Sequence, residues 1–497
     1  MSIDLGVYFG GSSMSIAFAK DDKQAIIVNE HGDRSTPSIL GIDDNEFSVG
    51  LPAKQNRIRN SKNTILYSKH LICKNTSQIE ETLKQKLDCE FKDLNDKEIS
   101  FSVEKNSNPY DLSLSQVIEK ELKYLNDLAK ANLSVKECRA VFSVPLNFTQ
   151  EQTEFLRNCA QKSGFQMLRM IRNPFAACMA YELEFDNNND STVLVYQMGG
   201  NSIEVTLISL SNGLYRLIDS IDLLNTGGDQ FTDIVVGILG EEFQKKNKAD
   251  PKTNKRSLFK LKANAEDLKH ILSTMERAHC SIDALYDGID FDYHLTRQRF
   301  EGACNKLYQQ ILQPIDDLLK KNNITENEID KVVLCGAATK MCRLQALLKQ
   351  KFNETKLLNY LSPDEIIALG CAKQCGILSS TKLKKSSEQD RFFKSLSTPV
   401  YLQLGGKTEK ILVARQNTPL PLKRNLNLEF DLDSPKLTFM ESNDKVLANI
   451  KLDTFKTKEI GILFQIKLNE TVEITVTEMA SNERISLFLN SEENVES

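Results

Sequence analysis

Residues 193–210 read VLVYQMGGNSIEVTLISL, the pattern of a β-hairpin. Val193, Leu194 and Val195 open a β-branched apolar run, Gly199-Gly200-Asn201 make the turn, and Ile203, Val205 and Leu207 alternate on the way out. Residues 5–20, LGVYFGGSSMSIAFAK, repeat this pattern without a gap: Gly10 falls on Gly199, Gly11 on Gly200, Ser13 on Ser202 and Ile16 on Val205. A repeat at such distance indicates two related lobes rather than a solenoid of short units. Each turn, Gly10-Gly11-Ser12-Ser13 and Gly199-Gly200-Asn201-Ser202, offers open backbone N–H groups and a hydroxyl, the chemistry that holds a phosphate.

One such turn is ordinarily only a turn; two in matching places carry more weight. A third candidate contact is VVLCGAATKMCRLQALL, residues 332–348, a strand, a Gly-Ala turn and an amphipathic helix. Between these, Thr226-Gly227-Gly228-Asp229 opens a helix whose apolar face is Phe231, Ile234, Val235, Ile238 and Phe243, with Asp229 suited to the positive helix end.

The 497 residues suffice for about three domains. Hydrophobic residues make up 40% and charged ones 26%, the balance of a globular protein, and the formal charge of −5 argues against non-specific nucleic-acid binding. No signal-peptide pattern and no membrane-spanning apolar run is present, which with eleven scattered cysteines reads as reduced thiols in the cytosol. Cys371 and Cys375 stand one helical turn apart, a spacing better suited to a core than to a metal, and the five histidines make no zinc-type spacing.

Along the chain, IIVNEHGDRSTPSIL, residues 26–40, predicts a strand, a turn at Glu30-His31-Gly32 and Thr36-Pro37 leading into another strand, and NTILYSKHLI, residues 63–72, predicts a helix carrying Lys69. Residues 75–114 predict a surface helix and hairpin. Helices follow at 115–131 and 150–163, and AVFSVPLNF at 140–148 is a buried strand. LRMIRNPFAACMAYEL, residues 168–183, runs from strand into helix at Pro174, and the polar FDNNNDS at 185–191 separates the lobes. Further helices are expected over 260–275 and 297–322, and the unit beginning at Val332 ends in PDEIIALGCAKQCGIL. The composition then changes. Residues 379–394 are charged and aperiodic, a linker; about eight short alternating runs over 395–490 indicate a small all-β sandwich; residues 491–497 form a tail.

The order of these segments resembles the seventy-kilodalton heat-shock chaperone family across nearly the whole chain. The resemblance is carried by both hairpins, GDRSTPS from Gly32, Asn63-Thr64 through Lys69, AVFSVP from Ala140 and GFQMLRMI from Gly164. SIDALYDGIDFDYHLTRQRFE from Ser281, VVLCGAATK and PDEIIALG complete it. It implies an α/β, two-lobed, actin-like (ribonuclease H-like) ATPase domain over 1–378, with lobes of about 1–185 and 191–378, then the linker and a peptide-binding-like β-sandwich. It also implies ATP or ADP as cofactor, together with Mg²⁺ as family members carry it. The chain stops before the family's helical lid, which resembles short members that work with a zuotin-like J-domain co-chaperone at the ribosome.

By the same resemblance Lys69 matches the lysine that positions the attacking water, while Tyr8, Gln197 and Asn173 stand where the family has carboxylates. Gly227 and Gly228 belong to the phosphate side. Glu266, Lys269 and Ser273 match the helix that grips ribose and base, with His270 at the place of a stacking arginine. Gly336, Ala337, Lys340 and Asp364 match the adenine-side turn. Read from the residues alone, the Glu266/Lys269/Ser273 spacing favours a solvated helix face, since charge pairs at such spacing are ordinary helix support. Pro145 matches the family's proline switch, but its arginine partner is Thr153, and the apolar linker is replaced by DRFFKSL, residues 390–396. The expectation is a chaperone subunit that binds ATP, hydrolyses it weakly or not at all, and acts on nascent chains through its J-domain partner. An autonomous ATP-hydrolysing chaperone for unfolded polypeptides is the alternative; a small-molecule kinase is a distant third. No membrane partner and no direct nucleic-acid contact are expected.

Overall fold

The computed structural model describes residues 2–20, 23–43, 46–105, 108–183, 191–211, 214–380, 398–405, 410–414, 422–432, 434–441, 445–467, 471–481 and 483–489. The chain divides into two compact units, residues 1–382 and 383–497. Most of the lobe-separating loop at 185–191, the linker from residue 381, DRFFKSL and the tail lie outside the described residues.

The first unit is mixed α/β. Strand Ser2–Phe9 lies antiparallel to Ser13–Lys20 and parallel to Glu137–Val144, inside a six-stranded sheet that also holds Phe165–Arg172, Lys23–Ile26 and Thr36–Pro37. Strand Ser191–Met198 repeats the arrangement, antiparallel to Ser202–Ser211 and parallel to Lys331–Cys335, in a five-stranded sheet completed by Leu214–Leu224 and Leu357–Leu358. The repeat seen in the residues is thus a repeat in the backbone. Val193, Leu194, Val195 and Tyr196 are all buried, as a strand covered on both faces requires. The Tyr196 hydroxyl meets its burial requirement by donating to the Ile311 carbonyl at 2.9 Å.

Helices Asn173–Ala180 and Ile366–Ser380 cross between residues of the two sheets, in a core that includes Val141, Ala177, Val195, Val333 and Cys371. Their approach is set by Gly370: a Cβ there would lie 1.8 Å from the Ala176 carbonyl oxygen. The last helix runs to Ser380, two residues into the stretch read as linker.

Residues 63–72 are not a helix. Thr64–Leu66 is a strand paired with Ile39–Ile42, Tyr67 turns the chain at φ 57°, and Ser68–Leu71 is a single 3₁₀ turn. Thr64, Ile65 and Leu66 are buried, and strand pairing won over the apolar spacing that suggests a helix. Residues 75–114 hold a short helix, Glu81–Lys84, and a three-stranded sheet rather than one hairpin.

The second unit has eight described strands in two four-stranded antiparallel sheets. Glu459–Ile466 alternates strictly between buried and less buried positions. Residues of both sheets, among them Leu402, Phe439, Ile462, Phe464 and Val476, share one apolar core in which the Phe439 and Phe464 rings stack at 5.6 Å. No described helix is long and apolar enough to cross a membrane.

Candidate functional site

Both hairpins close in the same way. Gly10 N–H donates to Ser13 O at 2.9 Å, and Gly199 N–H donates to Ser202 O at 2.9 Å. The N–H groups of Gly11, Ser12, Gly200 and Asn201 are left without a partner among the described residues. The loops face one another so closely that a Cβ on Gly200 would sit 2.8 Å from Ser12 Oγ. A narrow cavity of about 50 Å³ lies between them. It is lined by Gly11, Ser12, Ser13, Gly199, Gly200, Asn201 and Ser202, together with Gly336, Ala337 and Asp364. Gly336 is a glycine for two reasons: its φ is +83°, and a Cβ would meet the Met198 carbonyl at 2.3 Å.

Gly227 and Gly228 stand behind the second loop. Gly228 N–H and Asp229 N–H donate to Gly199 O (3.0 Å) and Gly200 O (2.8 Å), so these donors shape the loop and do not face the cavity. Asp229 does not cap its own helix through its side chain. Its carboxylate accepts from the Tyr67 hydroxyl at 2.8 Å and pairs with Lys86 at 3.5 Å.

Of the residues expected on the adenosine side, Glu266, Lys269, His270, Ser273 and Lys340 stand outside the lining of that cavity. Glu266 pairs with Lys54 at 2.9 Å. Lys269 donates to Gly228 O (3.0 Å) and Thr232 Oγ1 (2.8 Å), and Ser273 Oγ donates back to the Lys269 carbonyl at 3.1 Å. The solvated-face alternative fails for Lys269, which is buried. His270 is pushed down to about 4 by burial and then by the neighbouring Lys269, so it is neutral at physiological pH. Lys340 pairs with Asp364 at 2.7 Å; burial alone would raise the Asp364 carboxyl, but hydrogen bonds from Lys340 and Ser362 hold it below its ordinary value.

Next to the glycine loops a larger cavity, about 230 Å³, is lined by Tyr8, Gly11, Lys69, His70, Lys74, Asn173, Gln197, Glu204 and Asp222 among others. Tyr8 and Gln197 occupy equivalent places in the two hairpins, and Gln197 Nε2 donates to the Tyr8 hydroxyl at 3.4 Å. Lys69 is 5% exposed, with its ammonium 5.4 Å from the Tyr8 ring centre and 5.8 Å from that of Phe148. Burial pushes Lys69 down to about 8, opposed by the nearby Glu204. Glu204 is itself pushed up to about 7 by burial and by Asp222. The amide oxygens of Gln197 and Asn173 are buried without a hydrogen-bond partner among the described residues.

Glu204, His70, Lys74 and Asp222 were not singled out in the sequence. Glu204 lies directly across the hairpin from Gln197, and a signal was present: it is the one charged residue of its strand and stands between Ile203 and Val205.

The loops fit a nucleotide's phosphates, since side chains larger than hydrogen would fill the cradle. Magnesium fits poorly. It favours carboxylate-supported water shells, whereas Tyr8, Gln197 and Asn173 are neutral and burial favours the protonated form of Glu204. Among the described residues no group of three or more His, Cys, Asp or Glu could hold a metal.

The family model described as Hsp70 protein matches residues 2–479. The chain belongs to the Hsp70 family. It is 31% identical over 489 residues to heat shock 70 kDa protein 14 of Danio rerio, covering 96% of each chain. It is 32% identical to heat shock 70 kDa protein 14 of Homo sapiens, over 98% of this chain and 99% of that one. To heat shock 70 kDa protein 14-B of Xenopus laevis it is 32% identical, over 96% and 97%. The protein is therefore an Hsp70-family chaperone, and membership of that family implies nucleotide binding.

Proposed function

We propose that this Hsp70-family chaperone binds ATP and ADP between its hairpin loops, hydrolyses ATP weakly or not at all, and acts through a J-domain partner. On this reading residues 1–378 are an actin-like ATPase domain in two lobes, residues 379–394 a linker and residues 395–490 a peptide-binding-like β-sandwich. The observation that carries the proposal is the neutral Tyr8–Gln197 contact, with neutral Asn173 beside it, at the place where the family resemblance requires carboxylates. The bound nucleotide would supply a phosphoanhydride to be attacked by water. Lys69, between two aromatic rings, is left to orient that water without the family's carboxylates at Tyr8, Gln197 and Asn173. The remainder of the reading, a zuotin-like J-domain partner, nascent polypeptides at the ribosome and a cytosolic location, rests on the sequence's resemblance to short family members.

Glu204 favours the second reading, an autonomous ATPase. Its carboxyl faces the same cavity as Lys69, and a value of about 7 suits a general base. Steady-state ATPase of the full chain with and without a J-domain protein, in wild type and Glu204→Gln, separates the two. The proposal expects a low rate that neither the J-domain nor the substitution alters much. J-domain stimulation that disappears in Glu204→Gln would establish the autonomous enzyme.

A further inference from the structure

We infer that the cleft takes its nucleotide without a divalent cation, Lys69 and Lys74 together supplying the two positive charges that such an ion would bring. The inference rests on the nucleotide reading of the glycine loops and extends it to the form of the ligand: free ATP, not its magnesium complex.

Lys69 and Lys74 line the same 230 Å³ cavity as Gly11 and Ser202, one residue from each hairpin loop. Neither ammonium has a hydrogen-bond or ion-pair partner among the described residues, whereas Lys86 nearby donates to Asn201 Oδ1 at 2.7 Å and pairs with Asp229. Lys86 is thus already balanced; Lys74 is not, and Lys69 has only the longer-range attraction of Glu204. An uncompensated ammonium in a half-closed cleft favours an anion, and lysine serves phosphate well as a point charge.

The same cavity lacks what a hydrated divalent ion needs. Two carboxyls reach it, Glu204 and Asp222, and burial raises both. The Tyr8 side chain reaches both the cradle and this cavity, and its ring is occupied by the Lys69 ammonium. Burial also keeps the Tyr8 phenol protonated. His70 is neutral, pushed down to about 4 by burial and then by Lys69, and its Nε2 stands where a side chain on Gly11 would reach. With Lys69 and Lys74 in its wall and both of its carboxyls biased by burial toward the protonated form, the cavity complements phosphate oxygens better than a hydrated divalent cation.

The test is calorimetric titration of the full-length chain with ATP, once in excess EDTA and once in excess Mg²⁺. The expected affinities agree within about threefold, and Lys69→Met with Lys74→Met weakens binding in EDTA by at least tenfold, about 1.4 kcal/mol or more. Tyr8→Asp with Gln197→Asp keeps both lysines but restores acid groups, and is expected to bind ATP more tightly with Mg²⁺ than without. Wild-type binding that falls tenfold or more in EDTA would overturn the inference and leave the nucleotide reading standing. Absence of binding in both buffers would overturn the two together.

Discussion

At the scale of single residues, the cradle depends on what is missing from it. Gly200 allows the two hairpin tips to touch because it has no side chain; a Cβ would fall 2.8 Å from Ser12 Oγ and 3.1 Å from Asp229 Oδ1. Gly200→Val is therefore expected to weaken ATP binding by at least about tenfold, read by calorimetry, a loss near 1.4 kcal/mol. A second residue-scale expectation concerns Glu121, which is completely buried on helix Leu114–Leu133 and accepts from Ser68 Oγ at 2.6 Å, directly beside Lys69. Burial raises its carboxyl from 4.5 to about 8, against the Ser68 hydrogen bond, which lowers it. Between those values the folded chain keeps a proton that the unfolded chain releases. Its influence on stability is therefore mildest below about 4.5 and becomes steadily more unfavourable as pH rises toward about 8. Thermal unfolding should show a melting temperature falling by several degrees from about pH 5 to about pH 8 on this account, and Glu121→Gln should flatten the fall. An unchanged pH profile in the variant would show that Glu121 is not the group responsible. Glu121 was not legible in the sequence, since an acid in an amphipathic helix reads as solvent-facing until the layer that covers it is known; Glu204 left only the weaker signal of its apolar neighbours Ile203 and Val205.

At the scale of elements, the hairpins and the eight C-terminal runs were legible because short range decides them: apolar alternation, then glycine. Residues 63–72 were not, because the partner that makes Thr64–Leu66 a strand, Ile39–Ile42, lies more than twenty residues upstream. The start of helix Gly228–Asn247 was legible as a helix end, but not as a buttress, since the N–H groups of Gly228 and Asp229 go to the loop at Gly199 and Gly200. The helix crossing at Gly370 gives a sharp expectation. A methyl group there meets the Ala176 carbonyl at 1.8 Å, so Gly370→Ala should force the two helices apart and destabilise the unit by about 1–3 kcal/mol. Chemical denaturation measures this, and a loss below about 0.5 kcal/mol would mean that the crossing adjusts freely.

At the scale of the whole molecule, the family was legible from the order of many short segments, and the Hsp70 match over residues 2–479 establishes it. What this chain does with its nucleotide was legible only in part, because the departures at Tyr8, Gln197 and Asn173 act through a cavity whose other walls come from three distant stretches. If those departures stop turnover, the β-unit has no hydrolytic cycle to follow. A labelled extended apolar peptide should then show the same fluorescence anisotropy with ATP as with ADP, within about twofold. Many-fold loosening by ATP would instead mark a cycling chaperone. The most direct measurement is single-turnover hydrolysis of ATP pre-bound to the purified full chain. The expected result is that the nucleotide remains intact over times in which an ordinary Hsp70 of the same preparation has converted its own, a difference of about a hundredfold or more. It should also rise when Tyr8→Asp, Gln197→Asp and Asn173→Glu are combined. A wild-type rate equal to that of an ordinary Hsp70 would contradict the account.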